Sequence, residues 1–270
     1  MPRAFITSPR NPRLKAVRRL RRARGRASDR VFLVEGRRQL ECALDAGARI
    51  LDVYAAPELF LGADDRDLVA RAARHGARVV ELGADAYLSI ASQVRADGIA
   101  AVVARPRTEL HILPTRSLLL VATEIERPGN LGTMVRTAEA AGAGGLVVCD
   151  TPSDVFHPEV VRGSVGTVFS LPLATASRAD ALAWLRAGRV RVVVATPDGE
   201  RHVWGGDYSA PGLAVVVGGE RRGVDPAWIA AADETVHIPM AGHADSLNVA
   251  VAAGIVLFEA ARQRATSRRI

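Results

Sequence analysis

Apolar residues fall along this chain in two rhythms. The short runs Val31–Val34, Ile50–Tyr54, Arg78–Glu81 and Ile99–Val103 have the length and β-branched content of strands. Between them, Arg37–Asp45, Asp65–His75 and Ala84–Ile90 carry apolar residues at helical spacing. The alternation predicts a small α/β domain within residues 1–104. Residues 105–116 hold Pro106 and Pro114 and no clean period, which marks a linker. The second part, 117–270, opens on Leu118–Thr123, a continuous apolar run suited to a strand buried on both faces. A helix at Asn130–Ala141, a strand at Gly145–Asp150, a helical turn near Pro158–Arg162 and a helix at Ala179–Ala187 follow. Strands at Val190–Thr196, Leu213–Val217 and Thr235–Ile238 and a helix at Leu247–Arg264 complete it. Leu247, Val251, Ile255, Phe258 and Arg262 recur at helical spacing and are the expected buried face of that last helix. The pattern is that of a doubly wound α/β domain with a mostly parallel sheet.

Composition narrows the class. The 270 residues are 49% hydrophobic and 24% charged, which excludes disorder as the dominant state and allows a core in each part. The longest apolar run, Val249–Phe258, falls far short of the roughly 20 residues of a membrane span. Cys42 and Cys149 lie far apart and read as packing thiols of a protein in the reducing cytoplasm. The six histidines form no cluster with them, so no metal is expected.

The net charge of +7 is concentrated at one end. Residues 1–30 carry eleven basic side chains, Arg3 among them, against one acid, whereas the other 240 carry 25 basic and 28 acidic residues. Such a segment is the electrostatic footprint of a polyphosphate partner. Leu14, Val17 and Leu20 recur every third residue among the arginines, a basic amphipathic helix pattern. An organelle transit peptide and a solvated basic tail are the competing readings. The strand-like Val31–Gly36 begins at once after the stretch, with no cleavage-type linker, which favours a folded RNA-contacting element.

Candidate chemistry lies in three segments of the second part. Gly218-Gly219-Glu220-Arg221-Arg222-Gly223 superficially resembles a P-loop, but Val224 and Asp225 stand where a lysine and a hydroxyl residue belong. That argues against nucleoside triphosphate chemistry, and no G-x-G-x-x-G follows a strand to make a standard dinucleotide site. The paired glycines serve either a tight strand-to-helix turn or a close backbone approach to a ligand. In the helix at Asn130, Leu131, Val135 and Ala138 form the core face and Gly132 and Arg136 share another. Arg136, one turn inside the helix beside a missing side chain, is either placed for a phosphate or alkoxide or a solvated charge. Asn130 reads equally as that helix's cap. Ile238–Asn248 is a strand end, an irregular loop and a helix start, where Asp245 or Ser246 can cap and His243 reads as a loop residue.

In order and spacing these segments resemble the motifs of the SpoU/TrmH group of SPOUT methyltransferases, which move a methyl group from S-adenosylmethionine to ribose 2′-hydroxyls of RNA. The first motif is Asn130–Ala138, the second Val217–Gly223, and the third Ile238–Met240 with Ser246–Asn248. Val160–Pro172 also follows the family pattern, and Thr7–Lys15 with Phe32–Gly36 resemble the family's ribosomal-protein-like substrate-binding domain. The resemblance implies a deep trefoil knot in the second part and a homodimer with active sites near its interface. It implies S-adenosylmethionine as donor, held by Thr196, Gly218, Gly219, Glu220, Ile238, Met240, Ser246 and Leu247. Arg136 would be the principal catalytic residue, with Asn130 and Glu220 positioning it and Ser246 and Asn248 shaping the site. RNA contacts would come from Arg10, Asn11, Lys15 and Arg162 as well as Arg136.

The chemistry agrees with this inventory. Methyl transfer from a sulfonium requires alignment of the hydroxyl oxygen with the methyl carbon, without a metal. A guanidinium keeps its charge at neutral pH, so stabilising a developing alkoxide is an easier role than general base, and both stay open. The expected substrate is 23S rRNA in preference to tRNA, in the cytoplasm and without a membrane partner. The alternatives are a non-catalytic RNA-binding or ribosome-assembly protein that keeps the fold, and methylation of a base instead of ribose.

Overall fold

The computed structural model describes residues 4–92 and 96–267; Arg3 lies outside the described residues. By contact the chain divides into two units, Met1–Pro106 with Phe156–Ser170, and Arg107–Val155 with Leu171–Ile270.

The first unit contains β1 (Ala4–Ile6), α1 (Pro12–Arg19), α2 (Ala23–Asp29), β2 (Val31–Glu35), α3 (Arg37–Asp45), β3 (Ile50–Ala55), α4 (Asp65–Arg74), β4 (Arg78–Leu82), α5 (Ala84–Leu88) and β5 (Ile99–Ala104). Its sheet runs β1-β4-β3-β5-β2 and is mixed, since β5 lies antiparallel to both β2 and β3. The basic stretch is a packed element. Asn11 caps α1 by accepting from the Arg13 N–H at 2.9 Å, and Pro12 takes the first helical position. Leu14, Val17 and Leu20 are buried against Tyr54, Val80, Leu82 and Tyr87. Four of the arginines serve the fold: Arg13 pairs with Asp52 at 2.8 Å, Arg18 donates to Ser89, Arg21 to the Ile90 carbonyl, and buried Arg26 to the Leu20 carbonyl. Arg10, Lys15, Arg19, Arg22 and Arg24 are exposed.

Successive strand residues face opposite ways. Leu33 joins the α1 side of the sheet, and Phe32 faces the other, where the rings of Phe156 and Phe169 lie 4.8 and 5.8 Å away. The Arg105 guanidinium sits 4.7 Å over the Phe156 ring. The segment Phe156–Ser170, which the sequence analysis assigns to the second part, therefore packs in the first unit, because its aromatics complete that face of β2.

The second unit is built from β6 (Leu118–Thr123), α6 (Pro128–Ala140) and β7 (Gly145–Cys149); α7 (Pro158–Gly163) then lies in the first unit. The chain returns as β8 (Leu173–Ala176), α8 (Arg178–Ala187), β9 (Arg191–Ala195), β10 (Arg201–His202), β11 (Leu213–Val217), α9 (Pro226–Ala230), β12 (Glu234–His237) and α10 (Val249–Ser267). The sheet order is β10-β12-β9-β11-β6-β7-β8 and every pairing is parallel. One face of the sheet (Leu119, Val121, Val192, Val194, Ala214, Val216) packs on Leu185 of α8 and Trp228 of α9. Leu113 joins this core, so the expected linker is largely part of the second unit.

The last helix corrects the sequence analysis. It begins at Val249, not Leu247, and buries Ala250, Ala253, Val256, Leu257 and Ala260. Val251 and Phe258, expected inside, are 51% and 52% exposed, Leu247 is exposed, and Arg262 is an exposed partner of Glu259. α10 packs beside α6, where a Cβ added to Gly254 would stand 3.3 Å from Thr137 Cγ2. The small residues permit that approach, and it selects the alanine-rich stripe over the bulkier one. Among the described residues no helix is long and apolar enough to cross a membrane.

Candidate active site

The carboxyl ends of three adjacent parallel strands, β11, β9 and β12, open into a cleft of about 550 Å³, the place where α/β sheets bind ligands. Ala195 and Thr196 follow from β9, Val217–Glu220 from β11, and Ile238 and Met240 from β12. The starts of α6 (Arg127, Asn130) and α10 (Asp245–Val249) close it.

The glycines after β11 are required by the chain itself. A Cβ on Gly218 would stand 2.1 Å from the Gly223 carbonyl oxygen, and one on Gly219 would stand 2.7 Å from that of Glu124. Glu124, just past β6, has φ +55°, so both strand ends turn sharply where they meet. The tight-turn reading therefore accounts for these glycines, and the turn they make is also a wall of the cleft.

Glu220 holds the residues that lead into α6. α6 starts at Pro128 behind Arg127, and no side chain of the cap residue bonds its free N–H groups. The Glu220 carboxylate accepts from the N–H groups of Glu126 (2.9 Å) and Arg127 (3.2 Å) and from Asn130 Nδ2 (2.7 Å). Asn130 is thus the third residue of the helix and not its cap. Its Oδ1 accepts from Asn248 Nδ2 at 3.0 Å. Asn248 in turn caps α10, accepting at Oδ1 from the Ala250 and Val251 N–H groups at 2.9 and 3.4 Å. Asp245 and Ser246, the caps expected from the sequence, are exposed loop residues on the cleft wall. A continuous side-chain chain Glu220–Asn130–Asn248 therefore joins the β11 loop to the first turns of two helices. Burial alone would push the Glu220 carboxyl up, but the hydrogen bonds from Glu126, Asn130 and Arg127 outweigh it and hold it below its ordinary value.

The structure thus gathers Asn130, Thr196, Gly218, Gly219, Glu220, Ile238, Met240, Ser246, Leu247 and Asn248 around one cleft. Arg136 is not in its wall; it is exposed on α6, without a hydrogen-bond or ion-pair partner among the described residues. Arg10, Asn11, Lys15 and Arg162 belong to the first unit, where all but Asn11 are exposed. Sequence reasoning passed over Arg127, which lines the cleft. Its signal was its place just before the Pro-Gly-Asn start of the helix. Apolar Val217, Ile238 and Leu247 offer a wall for a purine, the irregular loops offer main-chain polar groups, and Asp245 a carboxylate for a cationic group. The volume lies within the ordinary range for ligand sites, so the residues present fit S-adenosylmethionine.

Comparison with known proteins agrees along the whole chain. Residues 117–258 match the SpoU rRNA Methylase family, and residues 11–101 match the MRM3-like substrate binding domain. The chain is 34% identical to a 23S rRNA (uridine(2479)-2′-O)-methyltransferase of Streptomyces viridochromogenes, over 99% of this chain and 95% of that protein. It is 30% identical to the 23S rRNA (guanosine(2553)-2′-O)-methyltransferase RlmP of Bacillus subtilis, over 94% and 97%. The crystal structure of an AdoMet-bound rRNA methyltransferase from Sinorhizobium meliloti superposes with a TM-score of 0.87 at 31% identity, covering 96% of this chain and 97% of that one. With its sequence motifs gathered around one cleft and both parts matched, the chain belongs to the SpoU rRNA methylase family.

Proposed function

We propose that this protein transfers the methyl group of S-adenosylmethionine to a ribose 2′-hydroxyl of 23S rRNA. The observation that carries the reading is the Glu220–Asn130–Asn248 chain closing a cleft at the strand ends, in a sequence similar over nearly its whole length to 23S rRNA 2′-O-methyltransferases. The donor, when bound, supplies a methyl carbon activated by its positive sulfur. The chain's own residues do the rest. Val217, Ile238 and Leu247 exclude water from one wall, and the turn from Gly218 to Gly223 sets the floor. Glu220, Asn130 and Asn248 hold the first turns of α6 and α10 in register with that floor. Arg136, an unpaired guanidinium on α6, is the group we assign to stabilise charge on the 2′-oxygen and its neighbouring phosphate. The exposed cations of the first unit, Arg10, Lys15 and Arg162, together with Asn11, are assigned to RNA, and the work is cytoplasmic, where ribosomes are.

The reading includes a homodimer and a knotted backbone. Val251 and Phe258 form an exposed apolar stripe on α10, with half-buried Ile255 between them and exposed Leu247 and Met240 near the helix start. Single exposed apolar residues are ordinary, but a stripe along one helix favours a protein partner. α10 packs on α6, so a second copy seated on the stripe would lie beside the helix that carries Arg136. The trefoil knot rests on the family resemblance.

The test is transfer of labelled methyl to rRNA lacking the modification, with nucleoside analysis and Arg136→Ala alongside. A 2′-O-methyl nucleoside that disappears in the variant, with donor binding retained, is expected; no donor binding by calorimetry would overturn the catalytic reading. Sedimentation of the wild type and Phe258→Glu tests the dimer, which the variant is expected to dissociate. A monomeric wild type would refute it.

A further inference from the structure

The lip of the cleft carries charge that the roles above leave unused. Arg127 lines the cleft and is exposed, and among the described residues its guanidinium has neither a hydrogen bond nor an ion pair. What ties Arg127 to Glu220 is its main-chain N–H. Arg222, two residues beyond Glu220 on the loop that grips α6, is likewise exposed and unpaired. Arg221 between them differs, because it pairs with Glu126 at 3.3 Å. The Glu220 carboxylate pairs with neither guanidinium: its three hydrogen bonds come from the Glu126 and Arg127 N–H groups and from Asn130. The thirteen-residue α6 adds the positive end of its dipole at the same place. The lip therefore presents two guanidiniums that have no internal partner among the described residues.

The anion that must come to this lip follows from the proposed reaction. A ribose 2′-hydroxyl within an RNA strand is flanked by two phosphodiesters, and it cannot enter the cleft without bringing them to the rim. A guanidinium fork suits a phosphate, and an unpaired one loses no internal partner on binding. We propose that Arg127 and Arg222 bind the backbone phosphates flanking the target nucleotide and so orient its ribose over the cleft. The proposal rests on the methyltransferase reading and adds the rim contacts that place the substrate.

The test compares Arg127→Gln, Arg222→Gln and the double variant in the full-length protein. Methyl transfer to unmodified rRNA is measured over a series of salt concentrations, and binding of S-adenosylmethionine by calorimetry. Arg127→Gln keeps the fold, because Glu220 holds main-chain N–H groups that the substitution leaves in place. Each variant is expected to raise KM for RNA about tenfold with a smaller change in kcat and unchanged donor affinity. The slope of log KM against log salt should flatten by about 0.7–0.9 for each lost contact. Arg127→Lys, which keeps the charge without the fork, should recover the salt slope and part of the affinity. Unchanged KM and salt slope in an active enzyme would overturn the proposal while leaving the reaction standing. Weaker donor binding in Arg127→Gln with an unchanged RNA KM would overturn it too, assigning Arg127 to the donor's carboxylate. A wild-type protein that moves no methyl group to RNA would remove the functional reading and this assignment together.

Discussion

Replacing Glu220 with glutamine asks whether one carboxylate organises the site. Its Oε1 accepts from the Arg127 N–H and Asn130 Nδ2, and its Oε2 from the Glu126 N–H. Glutamine keeps the shape but offers one acceptor oxygen, so its amide NH₂ must face a donor at one of these places. The loss combines a hydrogen bond to a charged acceptor, about 1.5–3 kcal/mol, with a charge at a helix N-terminus, about 0.3–1 kcal/mol. Glu220 is only half-buried, so solvent screening brings the sum to about 2 kcal/mol. The pH dependence has a definite sign. The folded carboxyl is held below its ordinary value of 4.5, so its contribution is complete above that value and lost as pH falls through the folded pKa. Urea unfolding of the two proteins should therefore show a constant gap of about 2 kcal/mol from pH 7 down to about 5.5, narrowing below 4.5. A gap under about 0.5 kcal/mol at pH 7, or one that stays constant through the acid range, would refute the idea that the carboxylate secures the entry to α6.

Two other perturbations examine the fold and the turn. Phe156→Ala removes a fully buried ring that packs on Phe32, and should destabilise the first unit by about 3–5 kcal/mol. Urea titration should show its transition moving while that of the second unit stays; a loss below about 1 kcal/mol would mean the segment Phe156–Ser170 packs loosely there. Gly218→Ala places a methyl group 2.1 Å from the Gly223 carbonyl, a clash only backbone movement relieves. Calorimetry should show donor affinity reduced by at least about tenfold, roughly the 1–3 kcal/mol that overpacking costs. Unaltered binding would show that the turn does not shape the donor site.

How much of this protein was legible in advance depends on how far apart the deciding residues lie. Leu118–Thr123 and Leu213–Val217 were readable to the residue, because a parallel strand buried on both faces must be apolar throughout. The spacing of Leu14, Val17 and Leu20 pointed to a helix, the strand-like Val31–Gly36 directly after it favoured a folded one, and all three residues are buried. The short edge strands β1, β8 and β10 escaped, since two to four residues on a sheet margin carry too little periodicity. The motif resemblance named most of the residues that meet in the cleft, but not what each one touches.

Local periodicity, charge placement and motif order were therefore properties of the sequence by itself: two α/β parts, a basic start, and a methyltransferase family. What only the tertiary structure decided are contacts between distant residues. Asn130 looked like a cap because caps are local, yet it lies inside the helix, where a carboxylate ninety positions away takes its amide N–H and its oxygen links to Asn248. Phe156 and Phe169 joined the first unit because Phe32 left a face uncovered. α10 is apolar on more than one stripe, so its own spacing had no means of choosing the buried one. The close approach of α6 across Gly254 made that choice, and left Val251 and Phe258 facing outward.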